Sequence, residues 1–393
     1  MNYARTDILM AIPREKHGVR IYKAEKTCDG YTLINPFTSN DVWLIDMRGN
    51  YVHKWVMPTI PRNHGVFLPN GNLLYSTMAP LPSIEDMSVP RHWGVSAGLV
   101  EVDWEGNLVW KYLDKCQSHT FYRMENGNTM IPRVEVVPDE VAVRVKGGMP
   151  GSEDRGAVWS DGLHEVTPNG EVIWKWSAAD HLDLDVHVMC PLSYRGDWTH
   201  MNSCEVLPDG NTLTSFRNID TICIIDKATG NIKWQWGPGE VSHQHAPTLL
   251  DNGNILLFDN GAHRKDGSLI NYSRAVEVDP ATNNIVWEYK GDPPRSFYSS
   301  LISNCQRLPN GNTLICEGMK GRVFEVTTDG EIVWEYLNPF YGYHDVHGYY
   351  GHSNSLFRAY RYMPDHLGLK DKNLSPENLA WVNGLYGPEA LGD

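Results

Sequence analysis

Sixteen histidines stand in a chain of 393 residues, and several recur at one place in a repeated phrase. His64 in NHGVFLPNGN, His119 in HTFYRMENGN, His200 in THMNSCEVLPDGN and His245 in HQHAPTLLDNGN each precede an apolar run and an Asn-Gly or Asp-Gly turn. His347 and His352 offer the same near the C-terminus, while the corresponding stretch before RLPNGN carries Ser303 and Asn304. An imidazole can be nucleophile, general acid or base, or metal ligand near neutral pH. One such residue alone reads as a solvated wall residue, whereas several gathered in one concave place mark a site. Arg217, in TSFRNID after His200, would add a planar cation suited to an oxyanion, its plain alternative being a surface ion pair.

Those histidines meet only if the repeat brings them together. Six times a turn of Asp, Gly or Asn leads into an alternating strand that ends in tryptophan: at Trp55, Trp110, Trp174, Trp234, Trp287 and Trp334. Such turns flanked by alternating apolar residues are the strongest short-range hairpin signal. Before each of the later five stands a second strand, turn and strand, as in FLPNGNLLYS and VLPDGNTLTSF. Each unit therefore holds about four short strands, the content of a propeller blade.

The first unit lacks its innermost strand, and HSNSLFRAYRY (residues 352–362), beyond the last tryptophan, is a strand without a partner. Pairing the two completes a sixth blade and leaves no open edge. The expected fold is thus all-β, a six-bladed β-propeller closed by pairing of N- and C-terminal strands. The repeats span about residues 20–362 of one domain covering 1–393, and a helical tail starts at SPENLAW. Innermost strands line the channel, so the histidines at their starts should converge on one mouth. The periodic tryptophans read as wedge-filling core between blades. Insertions at residues 79–98, 133–162 and 177–197 depart from the repeat and are candidate lids or binding loops.

A net charge of −14 and scattered Lys and Arg exclude a phosphate-backbone partner and a membrane surface, so neither nucleic acid nor membrane is expected. The first residues lack a secretory h-region, no run of eighteen apolar residues occurs, and seven scattered cysteines show no C-x-x-C pair. The expected location is the cytoplasm. Oligomeric state is not legible. Neither a phosphate loop nor a dinucleotide fingerprint is present. Gly94 to Gly98 spells G-x-S-x-G, but strand rather than helix follows Ser96, so a nucleophile elbow is not formed. DLDVH (183–187) and His164 lack complementary metal ligands.

The run from DWTHMNSCEVLPDGNTLTSFRNID through HQHAPTLLDNGNILLFDNG (197–261), with the tail FRAYRYMPDHLGL, resembles the aryl-sulfate sulfotransferase family. That resemblance implies a six-bladed propeller that moves a sulfuryl group between phenols through a sulfated histidine, with no nucleotide donor, no cofactor and no metal. It places the nucleophile on His245, the supporting histidine on His200, the oxyanion-binding arginine on Arg217 and, more loosely, an earlier-blade histidine on His119. His64, His347, His352 and Asn202 are expected to line the pocket of a small aromatic substrate. Two other readings stay open from the residues alone. In one, His64, His119, His200 and His245 hold Zn²⁺ or Cu²⁺ in a lyase, hydratase or hydrolase; in the other the propeller is a non-catalytic scaffold.

Overall fold

The computed structural model describes residues 16–37, 39–77, 95–346 and 349–391. Six four-stranded antiparallel sheets surround one axis, each running from an innermost to an outermost strand. Blade 1 consists of Leu356–Tyr362, Tyr31–Pro36, Asp41–Ile45 and Tyr51–Val56, so the C-terminal strand is the innermost strand of the N-terminal sheet. Blade 2 follows with Pro61–Phe67, Leu73–Thr77, Gly98–Val102 and Leu108–Leu113, and blade 3 with Tyr122–Arg123, Thr129–Val136, Trp159–Val166 and Val172–Ser177. Blade 4 is Met201–Val206, Thr212–Phe216, Thr221–Ile225 and Ile232–Trp236; blade 5 is His245–Leu249, Ile255–Asp259, Arg274–Asp279 and Asn284–Lys290. Blade 6 contains Asn304–Arg307, Thr313–Glu317, Arg322–Val326 and Ile332–Leu337. Gly18–Tyr22 adds a fifth strand outside blade 6, a second tie between the chain's two ends that the repeat did not announce.

The turns explain the regularity. In the blade 4 hairpin the Gly210 N–H donates to the Leu207 carbonyl while the Leu207 N–H donates to that of Asn211. Gly210 has φ +85°, a conformation that costs glycine nothing and other residues dearly. The closing turn of blade 5 has Asn283 at φ +60° where its counterparts have glycine, and asparagine is among the few residues that tolerate that region.

Neighbouring blades are tied by two kinds of contact. Each closing tryptophan sends its indole N–H to the next blade's outer turn: Trp55 to the Asp103 carbonyl, Trp110 to Pro168, Trp174 to Lys227, Trp287 to Thr328, and Trp334 to Met47 across the closure. Trp234 instead reaches the Asn283 side chain. Only Trp55 and Trp334 are buried core as expected; Trp110, Trp174, Trp234 and Trp287 are half-buried at the outer edge of the wedge, and each of the six also satisfies an acceptor of the next blade. Deeper in, a glutamate on the third strand holds both its own turn asparagine and a cation of the next blade. Glu325 accepts from Asn312 at 2.7 Å and pairs with Arg361 at 2.7 Å, both charged side chains fully buried. Glu277 does the same with Asn254 and Arg307, Glu101 with Asn72 and Arg123, and Glu165 with Asn128 and Lys227.

Two of the three insertions form structure of their own. The strand Gly147–Met149 pairs in parallel with Met189–Tyr194, and short helices cover Asp139–Ala142 and Ala178–His181. Arg195 pins them by donating to the Gly147 and Val145 carbonyls and pairing with Glu153 at 2.9 Å. Most of the 79–98 insertion lies outside the described residues. The tail begins with a 3-10 turn at Pro376–Leu379, capped by the Ser375 hydroxyl, and continues as a helix at Ala380–Tyr386.

Candidate functional site

His245 is the first residue of the innermost strand of blade 5 and is buried. Its Nδ1 lies 2.7 Å from the Asn260 side-chain oxygen and 3.2 Å from the His243 carbonyl. Asn260 in turn gives both amide hydrogens to backbone carbonyls, Ser299 at 2.8 Å and Ile302 at 2.9 Å, so its oxygen must face the imidazole. An oxygen acceptor on either contact places the proton on Nδ1 and leaves the lone pair on Nε2. Burial, then the nearby Arg217 and, more weakly, His200 and Arg358, push His245 well below 6.5, against the opposing Asn260 contact. The imidazole is therefore neutral at physiological pH, as a nucleophile must be.

His200 stands just before the innermost strand of blade 4, its Nδ1 in a short contact with the Asp197 carboxylate. That partner favours the proton on Nδ1 and supports an imidazolium when one forms. His119, before the innermost strand of blade 3, has its ring centroid 4.3 Å from that of His200, and its Nδ1 is 2.7 Å from the Ser118 hydroxyl. Arg217 opens a 3-10 turn after the second strand of blade 4, half-buried, and donates to the Asn218 side chain at 3.0 Å; Asn218 itself donates to the Asp197 carbonyl. Arg217 and His200 both contribute to the depressed proton affinity of His245 and His243, so these groups share one electrostatic neighbourhood.

Asn202 is fully buried and donates to the Gln244 carbonyl at 2.7 Å, bridging blades 4 and 5. Its side-chain oxygen is buried without a hydrogen-bond partner. His64 stacks on Phe121 with centroids 4.9 Å apart and planes within 2°, and lies 6.0 Å from Phe357. Burial and Arg358 hold it well below 6.5. His352 is not on the innermost strand as expected: it is exposed on a hairpin of Gly342–Val346 and Tyr349–Ser353, paired with Tyr343. Asn354 ends that hairpin by exchanging hydrogen bonds with Asn338, and the channel strand starts only at Leu356. His347 lies outside the described residues.

The slots also differ from a simple repeat. Counting back from the leucine that opens each turn, His200 and His243 are equivalent, seven residues before Leu207 and Leu250, and both have positive φ, +54° and +59°. His245 corresponds instead to Asn202. Bulges in the innermost strands, between Met201 and Ser203 and between His245 and Thr248, permit these offsets.

Three further residues enter that sequence reasoning missed. Arg358, buried on the closing strand of blade 1, reaches across the channel to the Asn202 carbonyl of blade 4 at 2.7 Å and toward Thr120 of blade 3 at 3.4 Å. It makes no ion pair among the described residues, and its Nε has no partner. Its signal was its place in FRAYRY, alternating with Phe357 on a strand that had to line the channel. Asn260 and Asp197 had no signal beyond proximity to the motifs. Ser96 is fully buried in a segment bridged to Ser118, with strand Gly98–Val102 following, and His187 is held by the Asp183 carbonyl and Gln235. Among the described residues, His64, His119, His200 and His245 do not supply three ligand nitrogens that all lie within 4.8 Å of one another.

The profile of the arylsulfotransferase (ASST) family matches residues 90–339, more than half of the chain and all four strands of each of blades 3 to 6. The chain belongs to the arylsulfotransferase family. No curated protein matches it. Among solved structures, a protein of unknown function from Bacteroides caccae superposes with a TM-score of 0.53 at 14% identity, covering 84% of this arylsulfotransferase-family chain and 98% of its own. A streptogramin B lyase gives 0.45 at 11% identity, covering 83% and 84%. Virginiamycin B lyase from Staphylococcus aureus gives 0.40 at 12%, covering 71% and 70%. The first of these shows a shared fold and nothing finer. No helix among the described residues is long and apolar enough to cross a membrane, and none of the seven cysteines forms a disulfide.

Proposed function

We propose that the protein transfers a sulfuryl group from an aryl sulfate to a phenol through a covalent intermediate on Nε2 of His245. The observation that carries this reading is the Asn260 contact, which points an uncharged nitrogen lone pair out of a buried ring flanked by cations. Nε2 attacks sulfur, the sulfur–oxygen bond to the aryl group breaks, and the phenolate takes a proton from the His200 imidazolium that Asp197 supports. The sulfated His245 keeps its Nδ1 proton toward Asn260. A second phenol gives its proton to His200 and attacks sulfur, and the sulfur–nitrogen bond breaks. Arg217 and Arg358 face the negative charge that spreads over the sulfuryl oxygens, so the protein mainly positions reactants and stabilises charge. The face formed by His64, Phe121 and Phe357 suits an aromatic ring. The cycle so drawn needs no nucleotide donor.

The test is incubation with a chromogenic aryl sulfate, with and without a phenol acceptor, and intact-mass analysis of the protein. Acceptor-dependent release of the chromophore, a protein species heavier by one SO₃, and loss of both in His245→Ala are the expected results. Failure to cleave any aryl sulfate, or full activity in His245→Ala, would overturn the reading.

A further inference from the structure

We propose that Cys190, His243 and His263 form a binding site for a borderline-soft divalent cation of the zinc type. The three donors come from separate segments: Cys190 from the strand Met189–Tyr194 of the third insertion, His243 from the turn before blade 5, and His263 from the loop after Ile255–Asp259. Their ligand atoms all lie within 4.8 Å of one another. Cys190 Sγ is 3.5 Å from Nδ1 of His263. Tetrahedral zinc with ordinary Zn–S and Zn–N distances has a sulfur-to-nitrogen edge of about 3.6 Å, so this pair is already spaced for shared coordination. A thiolate with two imidazoles selects zinc or a similar metal over magnesium or calcium, which take oxygen ligands.

The surroundings of His243 point the same way. Its ring is fully buried, its Nε2 is 3.3 Å from the Ser193 hydroxyl, and its Nδ1 is buried without a hydrogen bond. The nearest carboxylate oxygen, on Asp220, is 3.4 Å from that Nδ1. Ligation through Nε2 would leave the proton on Nδ1 facing Asp220, the usual arrangement of a metal-bound histidine with a carboxylate behind it. Asp220 also holds the His243 backbone N–H at 2.8 Å and Lys265 at 3.2 Å, so the carboxylate is fixed in place. Both histidines have positive φ, +59° and +58°, a conformation uncommon for residues other than glycine. With three protein donors, one tetrahedral position stays free for a further ligand. The site adjoins the sulfuryl-transfer centre without depending on it: the His243 carbonyl accepts from Nδ1 of His245, so a bound ion would anchor the segment that carries the nucleophile.

The experiment uses the full chain, stripped with a chelator, reloaded with Zn²⁺ or Co²⁺ and dialysed. One equivalent of zinc retained per chain is expected, together with a thiolate-to-cobalt charge-transfer band in the near ultraviolet for the cobalt form. Cys190→Ser should abolish that band, and His263→Ala should end stoichiometric retention. Asp220→Asn should weaken affinity by about 10- to 100-fold. Absence of the cobalt–thiolate band in the unaltered protein overturns the proposal without recourse to any variant. Retention unchanged in Cys190→Ser and His263→Ala overturns it too, by placing the ion elsewhere. Neither readout involves an aryl sulfate.

Discussion

Which nitrogen of an imidazole holds the proton decides whether the other can attack, and for His245 that choice is delegated to Asn260, itself locked by two backbone carbonyls. Asn260→Ala removes the lock while leaving the ring in its buried place. We expect kcat for aryl-sulfate turnover to fall by about 10²-fold, the scale of a misoriented catalytic group, with KM little changed; an unchanged kcat would sever Asn260 from the reaction. The same residue predicts a pH profile. Burial and Arg217 hold His245 well below 6.5, so its neutral form persists as the pH drops past that value. The acid limb of kcat/KM should accordingly fall below pH 6.5, and a half-loss of activity at pH 6.5 would show an ordinary, exposed imidazole instead. His119, His200, Arg217 and His245 were legible in the sequence because histidine and arginine beside repeated turns are conspicuous. Asn260, Asp197 and Arg358 were not, since an asparagine or a strand arginine announces nothing until the fold reveals what it faces.

At the scale of elements, stability resides in the joints between blades. Trp334 is fully buried and donates to the Met47 carbonyl across the closure, while Glu325 and Arg361 make a fully buried ion pair across the same joint. Trp334→Phe keeps most of the ring but leaves that carbonyl without its donor, a loss of about 1–3 kcal/mol. Glu325→Ala strands a buried guanidinium and should cost about 3–5 kcal/mol. Both are read from the denaturant midpoint at constant m-value; changes within about 0.5 kcal/mol would mean the joint carries no special load. The six blades and their turns could be read directly, because glycine at a left-handed position and alternating apolar residues are local signals. The offsets between histidine slots could not. Bulges shift the register inside the innermost strands of blades 4 and 5 but not of blades 3 and 6, so residues that match in a motif do not hold equivalent places.

For the whole molecule, buried neutral histidines set the response to acid. His64, His243 and His245 all have proton affinities well below the 6.5 of an unfolded chain. Between their folded values and 6.5 the unfolded chain binds protons that the native protein refuses, so the contribution of these three rings is complete above pH 6.5 and declines as the pH falls beneath it. It is opposed by the carboxyl of Glu205, which burial raises to about 7. Denaturant titrations at pH 7.5 and 5.5 should show a lower midpoint at the acid value; equal midpoints would contradict the burial of these rings. Closure of the ring was foreseeable from one strand that lacked a partner. The hairpin that diverts His352, and the pairing of two insertions that carries Cys190 beside His243, depend on contacts between distant segments that no periodicity encodes.

Arg358 sits on a strand supplied by the last tenth of the chain, yet it grips the middle of the ring at Asn202. During synthesis, blades 2 to 6 can assemble while the channel still lacks its crossing cation and its sixth wall. The Arg358–Asn202 contact and topological completion therefore arrive in the same event, when that strand docks. A polypeptide released early would hold the histidines and Arg217 but not Arg358, so on the proposed mechanism we expect partial products to turn over aryl sulfate far more slowly than the closed ring.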